Sequence, residues 1–323
     1  MENFELVKWA NGNVHVAQST VEEFETVVQS FPAISTIFSS SSYQRKVINK
    51  LLKTVFLRSS ISSSFIPPLI RSPKRGFSIL MGNEYEKCLF DFFLKRENAA
   101  YFFDAWPSCH REIERFIKNF NVKSVFFSSK KVTEIFQGKH IDCRFYWIPE
   151  AIDVQAYRYE PFARKDIDVL QFGRKYDYYH SRIVNELRSK GYSYLYEKVK
   201  GEIVFPTQSD FLNGLARSKV SICFPSSLTH PMRSGDISTM TVRYLQSMAS
   251  KCLIVGVIPD EMIELFDYMP IIEVDFSDPE GQLLSVLENY DRYIPLIEKN
   301  YNTVASCHTW ECRSHKIMEL LSM

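Results

Sequence analysis

From residue 77 onward, short runs of β-branched and aromatic residues alternate with stretches whose apolar positions recur every three to four residues. Parallel strands joined by crossover helices produce that alternation. The runs FSILM (77–81), AYFFD (100–104), SVFFS (124–128) and RFYWI (144–148) predict four strands. IDVLQF (167–172), VSICF (220–224), CLIVGV (252–257) and PIIEV (270–274) predict four more. Several are apolar on both faces, as strands covered by helices on both sides are. Helices are predicted at PSCHREIERFIKNF, KKVTEIF, YHSRIVNELRSKG, SDFLNGLARS and TVRYLQSMAS, and again from Gly281 to the end. The fold class is therefore α/β.

The polar, proline-containing stretch IPEAIDVQAYRYEPFARK separates a completed strand from a new α/β series opening at Ile167. It predicts a domain over 1–160, a second over 161–305, and a terminal helix over 306–323 that packs back towards the first. The entry reads differently. Asn11-Gly12 between FELVKWA and NVHVAQS predicts an N-terminal hairpin, because both residues tolerate the positive φ of a tight turn.

No acidic residue occurs from Thr26 to Asn83, whereas Arg45, Lys46, Lys50, Lys53, Arg58, Arg71, Lys74 and Arg75 are basic. Val47, Ile48, Leu51, Leu52, Val55 and Phe56 form an apolar helical stripe in the same stretch. The functional reading is a surface, over residues 43–75, that meets an anionic membrane. The simpler reading, which the periodicity favours, is that the stripe faces the core and the lysines are solvated.

Composition narrows the classes. The 323 residues suit two domains, each large enough for its own core. A net charge of +1 with 45% hydrophobic and 24% charged residues fits a soluble globular protein and gives no reason to expect a nucleic-acid partner. There is no apolar run of membrane-spanning length, and the first residues lack the pattern of a signal peptide. A cytoplasmic protein, peripheral on the inner face of the membrane if residues 43–75 act as a surface, is the expectation. The seven cysteines are odd in number and form no C-x-x-C, which suits reduced thiols. Cys307, His308, Cys312 and His315 form the one cluster resembling a zinc set, with 308, 312 and 315 sharing a helix face, but the spacing matches no standard site and no metal is predicted.

Two facing α/β domains bind ligands at the carboxyl ends of their strands. The loop after IDVLQF presents Gly173, Arg174 and Lys175, where a guanidinium can hold phosphate oxygens bidentately; the alternative is an ion pair of Arg174 with Glu150 or Asp153. After VSICF, a long polar loop leads to a helix predicted to begin near Ser238 or Thr239. Its N-terminal amides, with the hydroxyls of Ser238, Thr239 and Thr241, would favour a phosphate, although serine and threonine here also suit plain capping. Gln246 stands further along that helix, where it can hydrogen-bond a sugar diol.

The stretch SDFLNGLARSKVSICFPSS…GDISTMTVRYLQSMASKCLIVG resembles the nucleotide-binding domain of GT-B glycosyltransferases, especially the "glycosyl transferases group 1" type and its CgeB-like relatives. DAWP (104–107), FFSSKKVTEIF (126–136), YWIPEAID (146–153), DIDVLQFGR (166–174) and HTWECRSHKIMELL (308–321) follow in the family's order. The resemblance spans about residues 100–323. It implies two Rossmann-like domains facing a cleft. It also implies transfer of a sugar from a nucleotide-sugar donor to a hydroxyl on a glycan or lipid-linked acceptor, in polysaccharide or glycoconjugate assembly, with no cofactor and no bound metal.

The family's E-x7-E acids fall on Ser238 and Gln246, so both carboxylates are absent. Its basic pair on the donor diphosphate falls on Arg174, with Arg243 a further candidate. On the acceptor side, Asp104 ends a strand where a general base would stand, or else caps the helix after Trp106-Pro107. Trp106 is placed to stack on a sugar, and His230 and His110 are alternative bases. The missing acids support one rival, a noncatalytic GT-B-like protein that binds a glycan or partner. A sugar-nucleotide epimerase or hydrolase on the same fold is another. A dinucleotide oxidoreductase is disfavoured, because no G-x-G-x-x-G occurs among only 11 glycines.

Overall fold

The computed structural model describes residues 4–9, 19–39, 43–58, 67–82, 84–199 and 204–322. The chain forms two compact units, Met1–Glu150 with Trp310–Met323, and Ala151–Thr309. Unit 1 runs β1 (Phe4–Trp9), α1 (Ser19–Gln29), β2 (Ile34–Ser39), α2 (Tyr43–Arg58), β3 (Arg75–Met81), α3 (Leu89–Phe93), β4 (Asn98–Phe103), α4 (His110–Asn119), β5 (Val122–Phe127), α5 (Lys130–Gln137) and β6 (Arg144–Trp147). Unit 2 opens with β7 (Ile167–Gln171), α6 (Asp177–Ser189), β8 (Tyr194–Tyr196), α7 (Gln208–Ala216) and β9 (Ser218–Cys223). It continues with the single turns α8 (Ser226–Thr229) and α9 (Pro231–Ser234), then α10 (Val242–Ala249), β10 (Leu253–Gly256), α11 (Asp260–Leu265), β11 (Ile272–Glu273), α12 (Pro279–Glu288) and α13 (Ile294–Cys307). The last helix, α14 (Trp310–Leu321), returns to unit 1.

Both sheets are parallel throughout. Their orders are β2-β1-β3-β4-β5-β6 and β11-β10-β9-β7-β8. Each sheet therefore reverses its direction of growth once, between β1 and β3 in unit 1 and between β7 and β9 in unit 2. Such a switch point opens a crevice at the carboxyl ends of the strands, because the connections leave on opposite faces.

All eight strands predicted from hydropathy form. In β4 all six residues are buried, as two-sided cover requires. The core of unit 1 is aromatic: Phe102 meets Phe116 edge-on at 6.0 Å, and Phe24 stacks on Trp310 at 4.2 Å and 11°. That second contact holds α14 against α1. In unit 2 the core is largely aliphatic, with Val169, Val220, Ile222, Leu253 and Val255 from the sheet against Ile183 and Leu187 of α6. Local chemistry sets several helix starts: the hydroxyl of Thr207 accepts from the Asp210 amide at 3.1 Å, and the Asp278 carboxylate accepts from the Gly281 amide at 3.0 Å.

The chain departs from sequence expectation at its entry. Asn11 and Gly12 lie outside the described residues, but β1 before them runs parallel to both of its neighbours, β2 and β3. The antiparallel entry is therefore corrected to a β1-α1-β2 crossover, in which the helical stretch 19–29 carries the chain back for a parallel pairing. The apolar stripe of α2 is a second correction. Val47, Ile48, Leu51 and Val55 are exposed rather than packed on the core, Leu52 is half-buried, and the Phe56 side chain lies outside what is described. A helix can show a perfect apolar period without a partner for that face, and periodicity carries no information about which.

Candidate functional site

The carboxyl ends of the unit 2 strands converge on the first turn of α10. Arg243 donates from Nη2 to the Phe224 carbonyl at 3.0 Å and from Nη1 to the Phe172 carbonyl at 3.4 Å, so one guanidinium spans the chain just past β9 and β7. Tyr244 beside it donates its hydroxyl to the Val257 carbonyl at 2.7 Å. Two neighbouring side chains thus tie together the three loops that follow β7, β9 and β10, at the topological switch point. Burial pushes the Tyr244 hydroxyl well above the usual tyrosine range, which keeps it a neutral donor.

Gly173 sits against this guanidinium. Its φ is +73°, and an added Cβ would lie 3.3 Å from both Cδ and Nη1 of Arg243. Glycine meets both demands, the left-handed backbone and the close approach. Arg174 and Lys175 follow, each half-buried, with the Lys175 ammonium 5.2 Å from the centre of the Tyr196 ring. This end of the sheet therefore gathers three cations.

The predicted start of the helix shifts. α10 begins at Val242 with Thr241 as its N-cap residue, three residues after Ser238. Glu261 explains the delay: one carboxylate oxygen accepts from the Thr239 hydroxyl at 2.7 Å and from the Met240 amide at 3.2 Å, holding this segment outside the helix. Thr239 and Glu261 are both buried, so that hydroxyl is committed to the protein. The Thr241 hydroxyl makes no side-chain cap, and its buried oxygen has no hydrogen-bond partner among the described residues. A buried hydroxyl left in that state at a helix N-terminus is an available donor for an anion. Gln246 is 5% exposed and donates its amide to the Tyr157 hydroxyl at 3.0 Å. Glu261 was not a sequence candidate; its one signal is its place in the first turn after Pro259.

His230 lies between the turns α8 and α9, exposed, in the polar loop after β9. In unit 1, Asp104 follows β4 directly and has a positive φ of 48°. Aspartate is among the few side chains that adopt this region readily, and a non-glycine residue held there costs on the order of 1 kcal/mol. The cap of the helical turn Pro107–Cys109 is Trp106, so Asp104 does not occupy the expected capping position. Trp106 itself is 3% exposed, and its indole N–H has no partner among the described residues. His110 bonds the Ala105 carbonyl at 3.0 Å and meets Phe136 edge-on. Its pKa is lowered chiefly by burial, with Lys139 adding to the effect. These contacts make it part of the fold.

Among the described residues no group of three metal-ligating side chains converges. His308 stands beyond α13 rather than on α14 and packs its ring on Phe266, while His315 meets Phe31 edge-on. The proposed common helix face of 308, 312 and 315 is corrected accordingly.

No protein-family model and no curated protein matches the sequence. Solved structures do match the fold. HepE from Anabaena, in complex with UDP and glucose, aligns with a TM-score of 0.60 at 8% identity, over 100% of both chains. Sucrose-phosphate synthase from Thermosynechococcus elongatus gives 0.57 at 10% identity, over 100% of this chain and 98% of that one. AviGT4, a glycosyltransferase involved in avilamycin A biosynthesis, gives 0.55 at 11% identity, over 99% and 96%. The fold is GT-B. Within a GT-B layout, unit 2 is the carboxyl-terminal α/β unit, and the α10 crevice is the candidate ligand site of that unit.

Proposed function

We propose that the chain is a glycosyltransferase that moves a sugar from a nucleotide-sugar donor to a hydroxyl on a glycan or lipid-linked acceptor, in polysaccharide or glycoconjugate assembly. The observation that carries this reading is the seat of Arg243 across the ends of β7 and β9, at the switch point, beside Gly173, Arg174 and Lys175. That the fold neighbour HepE has been solved with UDP and with UDP-glucose supports a donor of this class.

In the proposed reaction the acceptor oxygen attacks the anomeric carbon, the bond from that carbon to the diphosphate oxygen breaks, and the nucleoside diphosphate leaves with the electron pair. Arg174, Lys175 and Arg243 oppose the negative charge that develops on the leaving group. Ser238 and the Thr241 hydroxyl add neutral donors. Thr239 and Gln246, whose side chains bond Glu261 and Tyr157, anchor the segment that carries Thr241 and Arg243. The acceptor proton passes to Asp104 or His230, which single substitutions separate. Neutralisation by side chains and a helix terminus needs no bound metal, and the proposed site is cytoplasmic. No described helix is long and apolar enough to cross a membrane.

Calorimetry with UDP, GDP, CMP and their sugar conjugates, with and without EDTA, tests the donor site. One nucleotide binding at micromolar affinity regardless of chelator, and at least about a hundredfold more weakly to Arg174→Ala, is the expected outcome. A second reading, a noncatalytic GT-B-like binding protein, is favoured by one observation: the position of the family's second acid is Gln246, buried on Tyr157. Nucleotide binding without turnover across acceptors would select it.

A further inference from the structure

Helix α2 has two unlike sides. One is anchored in unit 1: Asn49 is buried and accepts the Phe90 amide at 3.0 Å, and Lys53 pairs with Glu86. The other exposes Val47, Ile48, Leu51 and Val55 at 40, 36, 58 and 45%. At helical spacing these four positions share an arc of about 100°. Lys50, also exposed, stands beside the arc. The helix contains five basic residues, Arg45, Lys46, Lys50, Lys53 and Arg58, and no acid. No acidic residue occurs anywhere between Glu25 and Glu84. Further along this acid-free stretch, Leu69 and Ile70 are 97 and 67% exposed.

We propose that this face of α2 docks on an anionic lipid bilayer. An exposed apolar arc bordered by positive charge is the composition of a helix lying in a membrane interface, where the arc enters the acyl boundary and the bases meet lipid phosphates. The charge argues against a second copy as the occupant, because a symmetric contact would bring together two helices that carry no acid and each expose Lys50 beside the arc. A nucleic acid would satisfy the bases and leave the apolar arc in water. The docking does not depend on the sugar-transfer reading; joined to it, docking brings the enzyme to a lipid-linked acceptor.

Co-sedimentation of the full chain with phosphatidylcholine vesicles, and with phosphatidylcholine–phosphatidylglycerol vesicles, tests this. The protein should pellet with the anionic vesicles only and be released by salt. Lys50→Glu should lower the partition at least about fivefold, and Leu51→Glu/Val55→Glu at least about tenfold. These positions are exposed, so circular dichroism, melting and nucleotide binding should match the wild type. That result keeps a docking failure distinct from loss of the donor site. Equal pelleting with neutral vesicles, no pelleting at all, or pelleting unchanged in both variants would overturn the proposal. A dimer in light scattering that the double variant dissociates, without lipid binding, would overturn it in favour of self-association.

Discussion

Asp104 and the two half-buried histidines show what single residues do in this fold. Asp104→Asn keeps a side chain that tolerates positive φ, so the variant should fold and bind nucleotide as wild type does. If Asp104 is the base, its turnover should fall by about a hundredfold or more. An equal loss in His230→Asn, with Asp104→Asn unaffected, would move the role to unit 2. His110 and His180 both titrate below their ordinary value of 6.5, chiefly through burial, with Lys139 and Lys175 respectively contributing. The unfolded chain then takes up protons first as pH falls. Their contribution to stability is complete above about pH 6.5 and is lost as pH drops from there towards the folded values. Urea unfolding between pH 5 and 7.5 should show a shallower acid decline for His110→Gln/His180→Gln than for wild type; parallel curves would refute the assignment.

At the scale of elements, α14 depends on one contact more than on its own propensity. Trp310 is fully buried on Phe24, with Tyr101 and Phe103 meeting it edge-on at 6.2 and 5.7 Å. Trp310→Ala should destabilise unit 1 by about 3–5 kcal/mol, read from urea unfolding, because it removes a buried indole and leaves a cavity beside the Phe24, Tyr101 and Phe103 rings. Phe at 310 should retain most of that stability. α10 is the functional counterpart. Its apolar positions were evident in the sequence, whereas its start was not, because Glu261 reaches it from 22 residues further along the chain. Local capping rules see only the serines and threonines nearby, and those suggested a start three to four residues too early. β2 and β8 escaped prediction for a related reason: ISTIFS is half serine and threonine, YLY is only three residues long, and their pairing comes from β1 and β7.

At the scale of the whole molecule, two parallel sheets with one switch point each account for why candidate residues far apart in sequence meet. Arg174 and Arg243 stand at the same end of one sheet because β9 pairs beside β7, and Arg243 reaches the Phe172 carbonyl two residues before Arg174. The calorimetric loss expected for Arg174→Ala and the vesicle binding expected for α2 belong to this scale, one to unit 2 and one to unit 1. They are separable, and a variant of either should leave the other intact.

The sequence by itself determined the fold class, the eight strands, the main helices and the strand-end loops where Arg174 and Arg243 stand, because alternation of apolar runs and helical periods is a local property of the chain. Only the tertiary structure decided which polar groups remain available. It committed Thr239 to Glu261 and Gln246 to Tyr157, buried Trp106, left the Thr241 hydroxyl without a partner among the described residues, turned the entry strand parallel and faced the apolar arc of α2 to solvent. Each of those outcomes depends on a partner distant in sequence, and hydrogen-bond and burial partners are set by packing, which no local pattern encodes.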